Sequence, residues 1–324
     1  EAPLALQQFF VNGGSVAYAV RTRPGAENLA GSVATRTGIH ALLDLDPYAF
    51  NLLCIPDAAS LDMAEQHLVY SAAARLCERQ RAFLICDLPA RCATTPDALA
   101  WMRSDANPRS PNGAVYFPRM RVADPSNRFV RSVAPSGTVA GVMARLDSER
   151  GVWKTPAGTD ASVRDATPAV RLTDADSRAL NPRAVNAIRT LPAAGTVIWG
   201  ARTLRGDASY VEEFKYVSVR RLVLHVEQSI HRGLSWAVFE PNGEALWATV
   251  RAHVEEFLDR LYRLGAFQGH KPEEAYFARC DRTTMTQDDI DEGRLIILVG
   301  IAPTKPAEFV VFRIFAQASE GDDD

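Results

Sequence analysis

The amino-acid sequence predicts an α/β protein in which mixed sheets are flanked by helices. Compact apolar runs at residues 50–55, 83–88 and 114–117 are typical of buried strands. Between these runs, apolar residues recur at helical spacing in 61–81 and 96–102. This alternation of strand and helix favours a mostly parallel sheet with helices on its faces.

The composition is that of a globular protein without a strong charge bias. The 324 residues are 47% hydrophobic and 23% charged, and the formal net charge is −3. No global basic field indicates a nucleic-acid partner, and no apolar run reaches the ~20 residues that span a bilayer. The five cysteines include no C-x-x-C pair, so we expect no zinc site and favour a reducing compartment.

The remaining elements follow from the same two periodicities. Further helices are predicted at 4–11, 138–150, 217–230 and 244–264. Further strands are predicted at 15–20, 196–199, 236–239, 275–278 and 295–301. Residues 151–183 contain three prolines and many small polar residues, which predicts an irregular segment. The sequence turns polar near 204–210, which predicts two domains, 1–205 and 206–324.

Motifs for catalysis or ligand binding are absent from the sequence. It contains no G-x-G-x-x-G, no Walker sequence and no G-x-S-x-G, so we expect no cofactor and no enzymatic activity. The acidic group Asp288, Asp289, Asp291 and Glu292 lacks the alternation of an EF-hand loop. We interpret this group as part of a helix start with a capping box that begins at Thr286.

A second charged group is basic. Arg220, Arg221 and Arg232 lie in or just after the helix predicted at 217–230. Charged residues on a helix usually form a solvated face, and this is the first interpretation. Contact with an acidic partner protein is the alternative, whereas nucleic acid is less favoured because no aromatic residues are interleaved.

One segment near the end of the sequence is apolar on both faces of a strand. Both faces of such a strand need cover, terminal segments are usually poorly held unless docked, and a bare apolar edge risks association. Two interpretations stay open: a central strand of the chain's own sheet, or a strand that completes a sheet in another subunit. The segment consists of Glu308, Phe309, Val310, Val311, Phe312, Arg313, Ile314 and Phe315.

Ordered blocks of the sequence resemble the tail sheath proteins of contractile phage tails and of phage-tail-like injection systems. The resemblance is dense from 151 to 315 and thinner at FFVNGG (9–14) and NLLCIP (51–56). The dense blocks are GVWKTPAG (151–158), WGARTL (199–204), YVSVRRL (216–222), WAVFEPN (236–242) and CDRTTMTQDD (280–289), followed by GRL (293–295) and KPAEF (305–309).

The resemblance implies a structural subunit. Family members form six-fold rings stacked helically around an inner tube, and sheath contraction drives the tube through a target membrane. Extended N- and C-terminal arms pair with sheets in adjacent subunits, so 308–315 would be the C-terminal arm. The first domain is then expected to be subtilisin-like without protease chemistry, and the second to be an α+β sheath domain that ends in an extended strand.

The implied partners are copies of the chain itself, an inner tube protein, and baseplate and terminal cap proteins. Neither nucleic acid nor direct membrane insertion is expected. Assembly is expected in the bacterial cytoplasm, as part of a phage tail or of a released or intracellular injection particle. The exposed sides of the helices predicted at 244–264 and 288–294 are candidates for the inner-tube contact, with simple solvation as the alternative. The residues concerned are Arg251, Arg260, Arg263, Asp288 and Arg294.

The sequence departs from the family pattern in two places. Only eight residues precede Phe9, where members carry an N-terminal arm. Residues 21–37 stand where many members carry a longer stretch. Either the chain is a short form, or it lacks segments of a longer protein.

A rival interpretation is an α/β hydrolase-like enzyme whose catalytic groups meet only in space. A Ser-His-Asp site is recognised by geometry rather than by sequence position. The candidate residues for such a site are His40, Asp44 and Asp57.

Overall fold

The computed structural model describes residues 1–46, 48–126, 129–208 and 213–306. The strand predicted at 308–315 lies outside these residues. The helices are α1 (Ala2–Val11), α2 (Ala26–Ala30), α3 (Met63–Gln80), α4 (Thr95–Arg103), α5 (Ser136–Arg150), α6 (Asp174–Leu180), α7 (Val217–Gly233), α8 (Glu244–Arg263), α9 (Pro272–Ala275) and α10 (Gln287–Asp291). The strands are β1 (Leu52–Cys54), β2 (Phe83–Asp87), β3 (Gly113–Phe117), β4 (Met120–Ala123), β5 (Val130–Val133), β6 (Ala166–Pro168), β7 (Val185–Leu191), β8 (Gly195–Ile198), β9 (Tyr276–Arg279) and β10 (Leu298–Ile301).

The central sheet has five strands in the order β1-β2-β3-β7-β8. The first four strands are parallel, and β8 returns antiparallel to β7. The parallel pairs are separated in sequence by helices, as the crossover connections between parallel strands require. The prediction of a mostly parallel sheet flanked by helices is therefore confirmed.

Both faces of the central sheet are covered by helices. Every residue of β2 is buried, and successive side chains enter different cores because they point to opposite faces. Leu84 packs into a core that includes Trp101 of α4. Phe83 packs into a second core that includes Val139 and Met143 of α5. The result is a three-layer arrangement of helices, sheet and helices. Because both faces of the sheet are covered, its strands have continuous apolar sequences.

Two smaller antiparallel sheets accompany the central one. Strands β5, β4 and β6 form a three-stranded sheet, and β9 pairs with β10. The β9–β10 pair packs with α7 and α8 around a separate core that includes Leu222, Leu258 and Phe267. The C-terminal part of the described chain thus has its own α+β core.

Strand β7 is not predicted from the sequence, because polar residues interrupt its apolar pattern. Its Asn186 is nevertheless fully buried. The Asn186 amide donates to the carbonyl oxygens of Val115 (3.1 Å) and Arg202 (2.8 Å), and its Oδ1 accepts from the Arg202 backbone N–H (2.7 Å). Burial of a polar group is tolerated when its hydrogen bonds are made, so a central strand can carry this asparagine.

Two predicted strands are wrong. Residues 15–20 form no regular element, and the side chains of Val16 and Tyr18 are exposed. The segment is apolar, but a strand also needs a neighbouring backbone, and the described residues supply none. At 236–239 the chain forms instead the end of a short 3-10 turn, Ser235–Ala237, because it must turn sharply between α7 and α8. The segment 151–183 is less irregular than predicted, since it contains β6 and α6.

Candidate interaction surfaces

The acidic group near residue 290 is a helix start, as predicted. The Asp289 backbone N–H donates to the Thr286 hydroxyl (3.2 Å), and the Thr286 backbone N–H donates to Asp289 Oδ2 (2.9 Å), which completes a capping box. Hydrogen bonds from Thr286, together with the Arg294 guanidinium, lower the pKa of Asp289 to about 2. No group of three or more His, Cys, Asp or Glu residues that could hold a metal ion occurs among the described residues.

The five candidate tube-contact residues do not form one cluster. Helix α10 packs beside the first half of α8, where Trp247 and Met285 share a small core with Ile290. Arg251 belongs to that half, whereas Arg263 lies roughly 18 Å further along the axis at ~1.5 Å per residue. The structure therefore brings Arg251 towards the α10 region that contains Asp288 and Arg294, and leaves Arg260 and Arg263 at the other end of α8.

Local partners engage several of these side chains. Arg263 pairs with Asp259 at 2.5 Å, and the Arg260 guanidinium lies 5.9 Å from the Phe257 ring centroid. Arg294 pairs with Asp289 (2.8 Å) and with Glu292. Asp288 is exposed. Exposed pairs of this kind are weak, so they leave the side chains available to a partner.

The interpretation of the basic trio as a solvated helix face is wrong for Arg220 and Arg221, whereas Arg232 is exposed. The Arg221 side chain is only 4% exposed and pairs with Asp147 of α5. Arg220 Nε donates to Asn112 Oδ1 (2.6 Å), and Arg232 donates to the carbonyl oxygen of Tyr48. These residues join α7 to the central-sheet layers. The signal was present in the sequence: Arg221 lies four residues after Val217, on the apolar stripe of the helix.

The residues proposed for a hydrolase site are engaged separately. Asp44 pairs with Arg36 (2.9 Å), and Asp57 pairs with the amino group of Glu1 (2.9 Å). His40 is buried, and its Nδ1 has no hydrogen-bond partner in the described part of the chain. Burial, with the nearby charges of two arginines, lowers the pKa of His40. The structure thus does not join these residues into a catalytic triad.

Strand β10 presents an open edge. It pairs with β9 on one side, and no other described strand pairs with it. Leu298 of β10 is 50% exposed, and Ile296, which precedes the strand, and Phe277 of β9 are also exposed. A two-stranded sheet by itself is only marginally stable. Exposed apolar side chains beside an unpaired edge favour the addition of a further strand there.

The turn between α7 and α8 forms a second exposed apolar surface. Trp236, Val238 and Phe239 are exposed there, and the Phe239 side chain is fully accessible. Trp236 contacts the His253 ring edge to face, with the ring centroids 5.3 Å apart.

In the described residues, no helix is both long and apolar enough to cross a membrane.

A groove of about 1200 Å³ separates β1 from residues 15–22. Strand β1 is the edge of the central sheet, and the groove walls are largely apolar, with Val16, Tyr18 and Leu52 among the lining residues. The region predicted to be a strand therefore faces an open sheet edge across this groove without pairing to it.

Comparison with known proteins assigns the architecture to a class. A chain in the cryo-EM structure of the anti-feeding prophage (AFP) baseplate, 6-fold symmetrised, is 33% identical with a TM-score of 0.81; the match covers 98% of this chain and 81% of that one. A chain in the contracted PVC sheath complex of an extracellular contractile injection system is 32% identical with a TM-score of 0.79, over the same shares of the two chains. A prophage major tail sheath protein of Pseudomonas aeruginosa (strain UCBPP-PA14) is 26% identical over 286 residues, which are 86% of this chain and 69% of that protein.

The structural similarity extends over the whole α/β architecture. It places this chain in the class of contractile-sheath, phage-tail-like structural proteins. Two family models agree with it: the phage tail sheath protein central domain matches residues 31–204, and the phage tail sheath C-terminal domain matches 211–317. The chain belongs to the phage tail sheath protein family. The resemblance read from the sequence blocks is therefore confirmed.

Proposed function

We propose that the chain is the subunit of a contractile sheath. Copies assemble as stacked six-fold rings around an inner tube, and contraction drives the tube through a target membrane. The role is structural rather than catalytic. The observation that carries this proposal is the likeness, over 98% of the chain, to a protein of a contracted sheath complex.

In this proposal, residues 308–315 are the strand that joins neighbouring copies. Their apolar side chains need cover on both faces. The open edge of β10, with the exposed Leu298 and Ile296 beside it, offers backbone donors and acceptors together with apolar surface. The strand of one copy would thus extend the β9–β10 sheet of the next copy to three strands.

The inner-tube contact is proposed for the face that α10 and the first half of α8 share. Arg251, Asp288 and Arg294 supply charges of both signs there, and charge complementarity sets register and association rate more than affinity. Arg260 and Arg263 lie towards the other end of α8 and form a separate candidate.

Deleting residues 309–324 tests the joining strand. Electron microscopy of the purified protein is expected to show tubes or rings for the full chain and neither for the truncated chain. A milder pair of variants separates the strand from mere chain length: Val310→Asp with Phe312→Asp should also abolish tubes, whereas Arg313→Gln should preserve them. Tubes of normal length from the truncated chain would contradict the proposal.

A further inference from the structure

A basic groove lies where the described chain ends. Its volume is about 1040 Å³, and residues 304–306 form one wall. The loop at 150–158 and Trp199 form other walls, so segments far apart in sequence build the groove. Strand β10 runs towards it, since residues 304–306 follow that strand within a few positions.

The groove carries a local excess of positive charge in a chain whose net charge is −3. Asp160 lies beside both Arg150 (3.3 Å) and Lys154 (2.8 Å), so one carboxylate serves two cations. Arg178 and Lys305 are exposed, and no acidic partner for either occurs among the described residues. The side chains that line the groove include five basic ones, Arg150, Lys154, Arg178, Arg189 and Lys305, and one acidic one, Asp174.

Arg189 is held in place yet keeps an unused donor. Its guanidinium pairs with Asp174 (2.7 Å) and donates to the Ser177 hydroxyl (3.2 Å). Its Nε is buried and has no hydrogen-bond partner within the described ranges. Buried donors are normally paired, and guanidinium donors suit carboxylates. Trp153 and Trp199 add aromatic surface to the same groove.

We propose that the basic groove binds the acidic segment 320–324 of a second copy of this chain. That segment carries four carboxylates and no basic side chain: Glu320, Asp322, Asp323 and Asp324. The family model of the C-terminal domain ends at residue 317, so the segment lies outside the part shared with that model. Opposite charge on groove and segment supplies the complementarity that selects this occupant.

The second copy is chosen on geometry, and this choice rests on the proposed function. A strand 308–315 that runs parallel to β10 on its open edge brings the following residues to the groove of the receiving copy. The nine residues 316–324 reach at most ~30 Å when extended, which suffices from the end of that strand. Return of the segment to the groove of its own copy is the competing arrangement, and it would give same-isotope contacts only.

Carbodiimide cross-linking tests the contact, because it couples lysine amines to carboxylates only when they touch. The chain has four lysines, of which Lys154 and Lys305 line the groove and Lys215 and Lys271 do not. Assemblies mixed from unlabelled and ¹⁵N-labelled full chains are cross-linked, digested and analysed by mass spectrometry. Mixed-isotope links from 320–324 to Lys154 or Lys305 are expected. Equal linking to Lys271, or same-isotope links alone, would overturn the proposal.

A binding measurement separates this inference from the joining strand. The probe is a fluorescent peptide of residues 316–324, added to full chain whose own four acidic side chains in 320–324 are changed to amides. Arg178→Glu with Lys305→Glu should weaken peptide binding by about tenfold or more. Arg79→Glu with Lys271→Glu, an exposed pair outside the groove, should leave binding unchanged.

The two proposals fail differently. If joining by 308–315 is wrong, the tubes do not depend on that strand, but the peptide still binds the groove. If tubes depend on the strand and the peptide does not bind, the groove inference alone is wrong. Binding that is unaffected by the Arg178 and Lys305 changes would also refute it.

Discussion

Arg221 of α7 and Asp147 of α5 form a two-point ion pair. Nη1 lies 2.9 Å from Oδ1, and Nη2 lies 2.5 Å from Oδ2. Helix α5 covers one face of the central sheet, and Val217 and Leu224 of α7 share its core. The pair therefore fastens the first helix of the C-terminal part to the central-sheet layers.

Removing the Arg221 charge should destabilise the chain strongly. Arg221→Met keeps the apolar stem but leaves Asp147 without its partner, and loss of a charged hydrogen-bond partner at this partly buried site costs about 1.5–3 kcal/mol. Urea unfolding measures the free energy. Arg263→Met, which breaks the exposed pair with Asp259, is the matched control and should cost less than about 0.5 kcal/mol. Equal losses for the two variants would contradict the structure.

Asp87 should make stability depend on pH. Burial raises the pKa of Asp87 to about 7, although the Ser136 backbone N–H donates to its Oδ1 (3.0 Å). The unfolded carboxyl releases its proton near pH 4 and the folded one near pH 7, so the folded state holds the extra proton between these values. Stability therefore falls as pH rises through this window, by about 1.4 kcal/mol per pH unit, and is lowest above pH 7.

Asp87→Asn is the control that isolates this slope. The amide keeps the acceptor for Ser136 and does not titrate. The free energy of unfolding of the variant minus that of the parent should rise from pH 4 to pH 7 and level off above it. Parallel curves from pH 4 to pH 8 would show that Asp87 does not titrate in this way.

The α1–α5 contact depends on glycine at the closest approach. A Cβ at Gly141 would lie 2.4 Å from the Phe9 carbonyl oxygen, and one at Gly137 would lie 2.2 Å from that of Ala5. Gly141→Ala should therefore push α1 away and cost about 1–3 kcal/mol, despite the helix propensity of alanine. Faster amide exchange in α1 would report the shift.

Gly233→Ala is the matched helical control for that variant. Gly233 ends α7 and has no atom within 4 Å of a built Cβ. The substitution should be neutral or stabilising by up to about 1 kcal/mol. A comparable loss in both variants would mean that the close helix contact is not the cause.

Trp101 and Gln66 form a buried hydrogen bond that should be costly to break. Trp101 Nε1 donates to Gln66 Oε1 (2.7 Å), and Gln66 Nε2 donates to the carbonyl oxygen of Ala58 (2.8 Å). Trp101→Phe leaves the Gln66 acceptor unpaired and opens a small void, for a loss of about 2–3 kcal/mol. Trp236→Phe, at an exposed indole, should change the free energy of unfolding by less than about 0.5 kcal/mol.

The sequence by itself determined the elements in which the spacing of apolar residues marks the buried face. Helices α3 and α8 and strands β2 and β3 were predicted within a few residues, because their apolar periodicity is local. Its ordered blocks also identified the family. The joining strand at 308–315 and the tube-contact residues remain predictions, since the former lies outside the described residues and neither has been tested.

Only the tertiary structure decided where polar residues and short segments go. Asn186 occupies a central strand because Val115 and Arg202 satisfy it, and Arg221 is buried because Asp147 faces it. The basic groove joins residues around 150, 189 and 305. Whether a polar side chain is buried, or an apolar segment becomes a strand, depends on partners distant in sequence, and local periodicity carries no information about them.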